Sequence, residues 1–237
     1  MDRSATFRFL GTLEQLGYVV KDTETKVYAP GPGIASLRRM ARPRHDLIEI
    51  AKPILNRLSA STGQTGYLAI LEDDRALLLE VSPGNNVISV RHYAGQIEPL
   101  YCTSVGKAIL ALLPDAEQDH FIRTAALKKH TRNTITTKVA LRAELAEIRM
   151  TRIAFDECEW REEICCIGAP ILDETGYPVA AVGLSMVDAF IKGGPRKQAE
   201  WIETVKRAAH EAGRAVESAH QPSASGIARR TRSGPHS

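Results

Sequence analysis

The sequence predicts an α+β chain: a partial winged helix-turn-helix at the front, then an antiparallel sheet flanked by helices. Three observations lead there. Short apolar runs come in turn-linked pairs, as antiparallel strands do, while segments of helical period stand apart from them. The 237 residues are 43% hydrophobic and 25% charged, which fits one large domain or a medium one with an attachment and excludes wholesale disorder. No run approaches about 18 apolar residues, and the N-terminus lacks the charged-then-apolar layout of a leader. A cytoplasmic chain with no membrane partner is expected.

The first helix is read from Ala5, Phe9, Leu13 and Leu16, spaced to share one face. Asp2 or Ser4 can cap its start, and Gly17 suits the left-handed residue that ends it. Tyr18–Val20 and Val27–Tyr28 read as two short strands around the polar turn Asp22-Thr23-Glu24-Thr25. Helix plus two-stranded wing is half of a winged helix-turn-helix, because such a module needs two preceding helices to bury its recognition helix. Residues 1–28 are therefore expected to be a partial module and to bind DNA poorly until those helices are restored.

Residues 29–45 read as a linker, broken by Ala29-Pro30-Gly31-Pro32-Gly33 and carrying a short helix with Arg38, Arg39, Arg42 and Arg44. A larger domain is expected over 46–218. It opens with a helix from Asp46 to Thr62, striped by Leu47, Ile50, Ile54 and Leu58. Strands are expected at Gly66–Leu71, Ala76–Val81, Val87–Arg91, Ile153–Asp156, Cys165–Leu172 and Pro178–Ser185, and helices at Ser104–Leu113, Asp115–Leu127, Lys138–Met150 and Pro195–Glu217. Residues 219–237, rich in Ser, Gly, Pro and Arg, read as a disordered basic tail.

Charge is uneven beneath a net +3. Residues 1–45 hold eight Lys/Arg against four Asp/Glu. The body, 46–218, is acidic, and the tail carries three arginines and no acid. A basic front on an acidic body suits an anionic partner, nucleic acid first among them.

Catalytic signatures are missing. Nothing matches G-x-S-x-G, a phosphate loop, a dinucleotide fingerprint or H-E-x-x-H, so no cofactor is expected. An enzyme built on Asp156, Glu159 and Cys166 would lack a visible nucleophile–base pair. The four cysteines, Cys102, Cys158, Cys165 and Cys166, have no C-x-x-C spacing, which points to reduced thiols. Cys165 and Cys166 sit among Asp156, Glu157, Glu159, Glu162 and Glu163. Neighbours on a strand face opposite ways, so at most one could reach a given ion. With the histidines scattered, no metal site is expected. The carboxylate run 156–163 instead offers a selectivity element at a pocket mouth.

Several blocks together resemble one family. Arg3-Ser4-Ala5-Thr6-Phe7-Arg8-Phe9-Leu10, with Leu13-Glu14 and Leu16-Gly17-Tyr18-Val19, is similar to a recognition helix and the start of its wing. Pro99-Leu100-Tyr101-Cys102-Thr103-Ser104-Val105-Gly106-Lys107-Ala108-Ile109-Leu110-Ala111 follows a P-x-x-x-T/S-x-x-G-K-A-x-L-A block. Asn133-Thr134-Ile135-Thr136 and Asp156…Glu159…Cys166-Ile167-Gly168-Ala169-Pro170-Ile171 complete the order. In this combination, from about Arg3 to Val216, the chain resembles the IclR family of bacterial transcriptional regulators.

The resemblance implies a winged helix-turn-helix joined by a linker helix to a GAF-like effector domain, in a homodimer or a dimer of dimers. It also implies a small organic effector, often a carboxylic or aromatic acid, and an operator in double-stranded DNA. Family effector contacts fall on Val87, Val90, Ser104, Val105, Gly106, Asp156, Ile164, Cys166, Gly183 and Ser185. N–H groups at Ser104–Gly106, opening a helix, can hold a carboxylate, while Val87, Val90 and Ile164 would wall the pocket. Two positions depart from the family pattern: Glu163-Ile164 replaces Gly-Val, and Gly183 replaces a serine of some relatives. The recognition-helix match puts Arg3, Ser4, Thr6, Phe7 and Arg8 near the groove, and Lys21 and Lys26 flank the wing within reach of phosphate. The alternative is a stand-alone small-molecule-binding module that has lost DNA binding.

Overall fold

The computed structural model describes residues 3–23, 25–33 and 44–219. Contacts divide the chain into two compact units, residues 1–46 and 47–237. The expected helix around Arg38, Arg39 and Arg42, the Asp2 cap and the tail beyond Ala219 lie outside the described residues, as do the side chains of Arg3, Ser4 and Arg44.

In the first unit, helix α1 spans Arg3–Gln15 and a two-stranded ribbon pairs β1 (Val19–Lys21) with β2 (Tyr28–Pro30). Gly17, at φ 73°, ends α1. Its N–H donates to Glu14 O and that of Tyr18 to Leu13 O, the paired bonds that satisfy a helix's last carbonyls. Asp22 Oδ1 accepts the Thr25 N–H at 2.7 Å and holds the wing turn. Phe7, Phe9 and Leu16 are each more than half exposed.

The second unit is a six-stranded antiparallel sheet between helices. Helix α2 (Arg44–Thr62) leads into β3 (Thr65–Glu72) and β4 (Arg75–Ser82). A long loop reaches β5 (Ile97–Pro99), followed by α3 (Ser104–Leu112), α4 (Asp115–Thr124) and α5 (Lys138–Thr151). Then come β6 (Ala154–Arg161), β7 (Ile164–Leu172), β8 (Pro178–Val187) and α6 (Ala199–Ala219). The strand order is β5-β4-β3-β8-β7-β6.

Alternation along the strands sends side chains to two cores. Leu68, Ile167, Ala169, Val182 and Leu184 face α2 and α6, burying Leu55, Leu58, Val205 and Ala209. Tyr67, Ala69, Ala154 and Ala181 face α3 and α5, where Ile109, Leu110, Leu141 and Leu145 are fully buried. Thr103 caps α3, its hydroxyl accepting the Gly106 N–H at 3.2 Å.

Three expectations change. Val87–Arg91 is not a strand: residues 83–96 form a loop held by a side chain, because Thr65 Oγ1 donates to Val90 O at 2.7 Å and accepts the Gly84 N–H at 3.1 Å. The partner of β4 on that edge is instead β5, in a segment with no strand-like run. The last helix begins at Ala199, after a separate 3₁₀ turn at Pro195–Lys197. The thiols also differ from expectation, since Cys158 and Cys165 are paired as a disulfide. The ladder between β6 and β7 breaks between Asp156 and Arg161, and Cys158, at φ 58°, turns out of strict alternation to meet Cys165. Cys102 and Cys166 are free and buried.

Candidate ligand-binding site

Strand register assembles the site. Asp156 on β6 pairs with Cys166 on β7, Cys166 with Ser185 on β8, and Ser185 with Thr65 on β3. Since side chains at paired positions share a face, a row of four polar residues crosses the sheet. All four are buried. Two residues along, the next row is Ala154, Gly168, Gly183 and Tyr67.

The two glycines of that second row are places of close approach. A Cβ on Gly168 would lie 2.7 Å from the Ser104 carbonyl carbon, and one on Gly183 would lie 2.2 Å from the Tyr67 ring. Their bareness lets the start of α3 and the Tyr67 ring lie against the sheet beside the polar row. Tyr67 Oη is 3.3 Å from Ser104 Oγ, and Cys166 Sγ is 3.1 Å from Ser185 Oγ.

His92 enters from the 83–96 loop. Its Nε2 lies 2.7 Å from Ser185 Oγ, and its ring centroid lies 4.8 Å from that of Tyr67. Nδ1 makes no hydrogen bond and faces Glu98 Oε1 at 3.8 Å. Gln96 Nε2 donates to that same oxygen at 2.7 Å.

Burial sets the protonation of these groups. It lowers His92 to about 4, with Arg161 adding to the effect, so the imidazole is neutral. It raises Glu98 to about 7, against the pull of Arg161 and the Gln96 hydrogen bond. Tyr67 and Cys166 are both pushed well up, first by burial and then by nearby groups, Cys166 foremost for the tyrosine and Asp156 for the thiol. Asp156 is raised by burial and by Glu159. The cluster therefore presents neutral O–H, S–H and imidazole groups, which suit hydrogen bonding to a bound molecule.

Of the residues expected at the site, Ser104, Cys166, Gly183, Ser185 and Asp156 come together, and Val90 stands behind Thr65. Asp156 also serves its own strand, since its Oδ1 accepts the Glu159 N–H at 2.6 Å. Ile164 sits half-buried one step along the face from Cys166. Val105 is fully buried in the α3 core. The Gly106 N–H is already taken by Thr103, so it is not free for a carboxylate. Val87 is fully exposed and lines a separate groove with Ile88 and Phe190. A cavity of about 560 Å³ beside the cluster is lined by Thr65, Val90 and His92 among others.

Tyr67, His92, Glu98 and Thr65 were not legible as site residues. Tyr67 and Thr65 lie in an apolar strand that only its pairing with β8 brings to Ser185, and His92 lies in the loop that Thr65 holds against it.

Behind the cluster, the Lys107 ammonium is fully buried between Glu144, at 3.0 Å, and Glu159. Burial pulls Lys107 down, but the two carboxylates outweigh it and hold it charged. This bridge ties α3 to α5 and β6. The Asn133-Thr134 block also fastens β6, with Asn133 Nδ2 donating to Glu157 O at 2.7 Å and Thr134 Oγ1 to Glu159 O at 2.6 Å.

Residues 40–214 match the family model described as bacterial transcriptional regulator IclR C-terminal. The chain belongs to the IclR family. Among IclR relatives, the HTH-type transcriptional regulator Rv1719 of Mycobacterium tuberculosis is 36% identical over 187 residues, 78% of this chain and 70% of its own length. The crystal structure of the IclR protein of Thermotoga maritima superposes with a TM-score of 0.67 at 30% identity, covering 90% of this chain and 85% of that one. An IclR homologue of Microbacterium hydrocarbonoxydans, solved with 4-hydroxybenzoate, shares the fold with a TM-score of 0.66 at 18% identity, over 91% and 86% of the two chains. The protein is thus an IclR-type transcriptional regulator with an effector-binding domain, and its relatives are named as regulators, not as enzymes. No described helix is long and apolar enough to cross a membrane.

Proposed function

We propose that the effector of this regulator is a small organic acid or aromatic molecule held at the buried row Cys166–Ser185 and by Ser104, Tyr67 and His92. One observation carries the reading: neutral hydroxyl, thiol and imidazole groups from separate elements converge on one sheet face. His92 stands between this row and the 560 Å³ cavity, so the incoming molecule exchanges with the His92–Ser185 hydrogen bond. The Microbacterium relative, with its 4-hydroxybenzoate, illustrates the size and chemistry intended. Neutral donors in a dry site select such ligands by hydrogen bonding.

In the first unit, Thr6, Phe7 and Arg8 on α1, with Arg3 and Ser4 before them, read operator DNA in this proposal. Lys21 and Lys26 contact phosphate from the wing. Phe7 and Arg8 are exposed, as groove contacts require. Lys21 lies over the Tyr28 ring, 5.3 Å from its centroid, and Lys26 donates to Thr23 O, bonds that a phosphate can replace. The regulator works in the cytoplasm as a homodimer or dimer of dimers on a two-fold site.

Thermal unfolding with a panel of aromatic and aliphatic carboxylic acids tests the effector assignment. A ligand at about 100 times its Kd adds about 2.7 kcal/mol, or about 5–10 °C for a domain of this size. S104W and C166W are expected to abolish that gain while keeping the circular-dichroism spectrum. An unchanged response in both variants refutes the assignment. A mobility-shift titration of a version carrying a full winged helix-turn-helix, on the DNA flanking the gene and with and without the stabilising acid, tests the regulator; acid-independent binding of its R8A variant equal to the parent would remove α1 from the interface.

A further inference from the structure

The opposite side of the β6–β7 hairpin carries a second cluster that the regulator reading does not use. Where β6 leaves its ladder, three carbonyls in a row are pinned by side chains of one loop: Glu157 O by Asn133, Cys158 O by Thr131 at 2.7 Å, and Glu159 O by Thr134. The pinned segment presents Cys158 to Cys165 across the hairpin, with their Cα atoms 4.7 Å apart. Cys165 Sγ is 3.3 Å from Asp188 Oδ1. The two sulfurs and a carboxylate oxygen of Asp188 all lie within 4.8 Å of one another. They border a cavity of about 460 Å³ whose wall also includes Arg132, Glu157 and Glu162. Arg196 pairs with Glu157 at 2.9 Å, which leaves Glu162 as the acidic wall.

Two thiolates and a carboxylate are zinc-type donors, and a tetrahedral ion bound at about 2.3 Å to sulfur and 2.0–2.2 Å to oxygen spaces such donors about 3.3–3.8 Å apart. Cys165 Sγ and the Asp188 carboxylate already stand 3.3 Å apart, the two sulfurs part to that spacing once their bond is broken, and the fourth side faces the cavity, where Glu162 or water can complete the shell. The sulfurs are buried while Asp188 is exposed, so an ion has both a dry seat and an entry. Disulfide and metal exclude each other at this spot, because the bonded sulfurs are not thiolates.

We propose that Cys158, Cys165 and Asp188 form a redox-gated site for a thiophilic divalent cation. A dithiol reductant supplies two electrons and two protons: the S–S bond breaks, two thiols form, and the reductant becomes a disulfide. Each protein thiol then releases its proton to solvent as its sulfur–metal bond forms. The site is separate from the effector row, since Cys165 and Cys166 point to opposite faces of β7.

Zn²⁺ and Cd²⁺ are the probes, used on the full chain after reduction and removal of the reductant. The reduced protein is expected to bind about one ion per chain, with a thiolate-to-Cd²⁺ charge-transfer band, and to release about two protons. The oxidised parent is the folded control and is expected to bind none. C158S and C165S each lose the band's full intensity and at least about 100-fold in affinity, and D188N loses roughly 10-fold. C166S binds as the parent does. Equal binding by oxidised and reduced protein, no binding by reduced protein of unchanged circular dichroism, or loss of binding in C166S alone would each overturn the proposal. None of these outcomes bears on effector or DNA binding, which have their own assays.

Discussion

Replacing Glu98 with glutamine should make the protein markedly more sensitive to acid, although it removes an acid. The reason is a proton count. In the unfolded chain between pH about 4.5 and 6.5, His92 carries a proton and Glu98 does not. In the folded chain burial reverses both, with His92 lowered to about 4 and Glu98 raised to about 7. One proton is bound in either state, so the pair adds no slope to stability across that window. E98Q leaves His92 alone. Its folded value lies below its unfolded one, so the stability it contributes is present above pH 6.5 and lost as pH falls toward 4. A shift of about 2.5 units at 1.36 kcal/mol each amounts to about 3 kcal/mol. H92N leaves Glu98 alone and reverses the sign: stability is present below pH about 4.5 and lost as pH rises to about 7, by a similar amount. Urea unfolding at steps between pH 4.5 and 7 measures both. The E98Q-minus-parent difference should climb with pH and the H92N-minus-parent difference should fall. Parallel profiles for all three proteins would refute the protonation states assigned to the site.

Three further substitutions probe the frame. G183A places a methyl 2.2 Å from the Tyr67 ring, so the ring must leave the sheet; overpacking of this kind costs about 1–3 kcal/mol, read as a lower urea midpoint. K107M strands Glu159 without its cation and should cost about 3–5 kcal/mol, whereas K107M with E159L should recover part of that loss. T134V removes the donor to Glu159 O and should cost about 1–3 kcal/mol, while the same change at exposed Thr12 should leave the midpoint within about 0.5 kcal/mol.

Elements with their own local chemistry could be read from the chain. Gly17 ends α1 where the sequence says it should, and Thr103 starts α3 with a cap written three residues before Gly106. Strands β3, β4, β7 and β8 follow their apolar runs. What failed was whatever depends on a distant residue. The 83–96 loop looked like a strand because Val87, Ile88 and Val90 are apolar, yet the Thr65 hydroxyl holds it as a loop. Cys158 and Cys165 had no recognisable spacing, because the break in β6 that lets them meet is fixed by Thr131, Asn133 and Thr134. In the site, Ser104 and Cys166 belong to quotable blocks, whereas Tyr67 and His92 matter only through neighbours that folding brings to them.

The polar row has a consequence for biogenesis. Each of its members comes from a different strand, and a slip of one residue in any strand would put an aliphatic or glycine neighbour, Ile167, Leu184 or Gly66, where Cys166, Ser185 or Thr65 belongs. A molecule held by Cys166 and Ser185 would bind best to the correctly paired sheet. The proposed effector would then act as a quality check during maturation, drawing newly made chains toward the one pairing it fits. The supply of that effector would then set how much regulator survives.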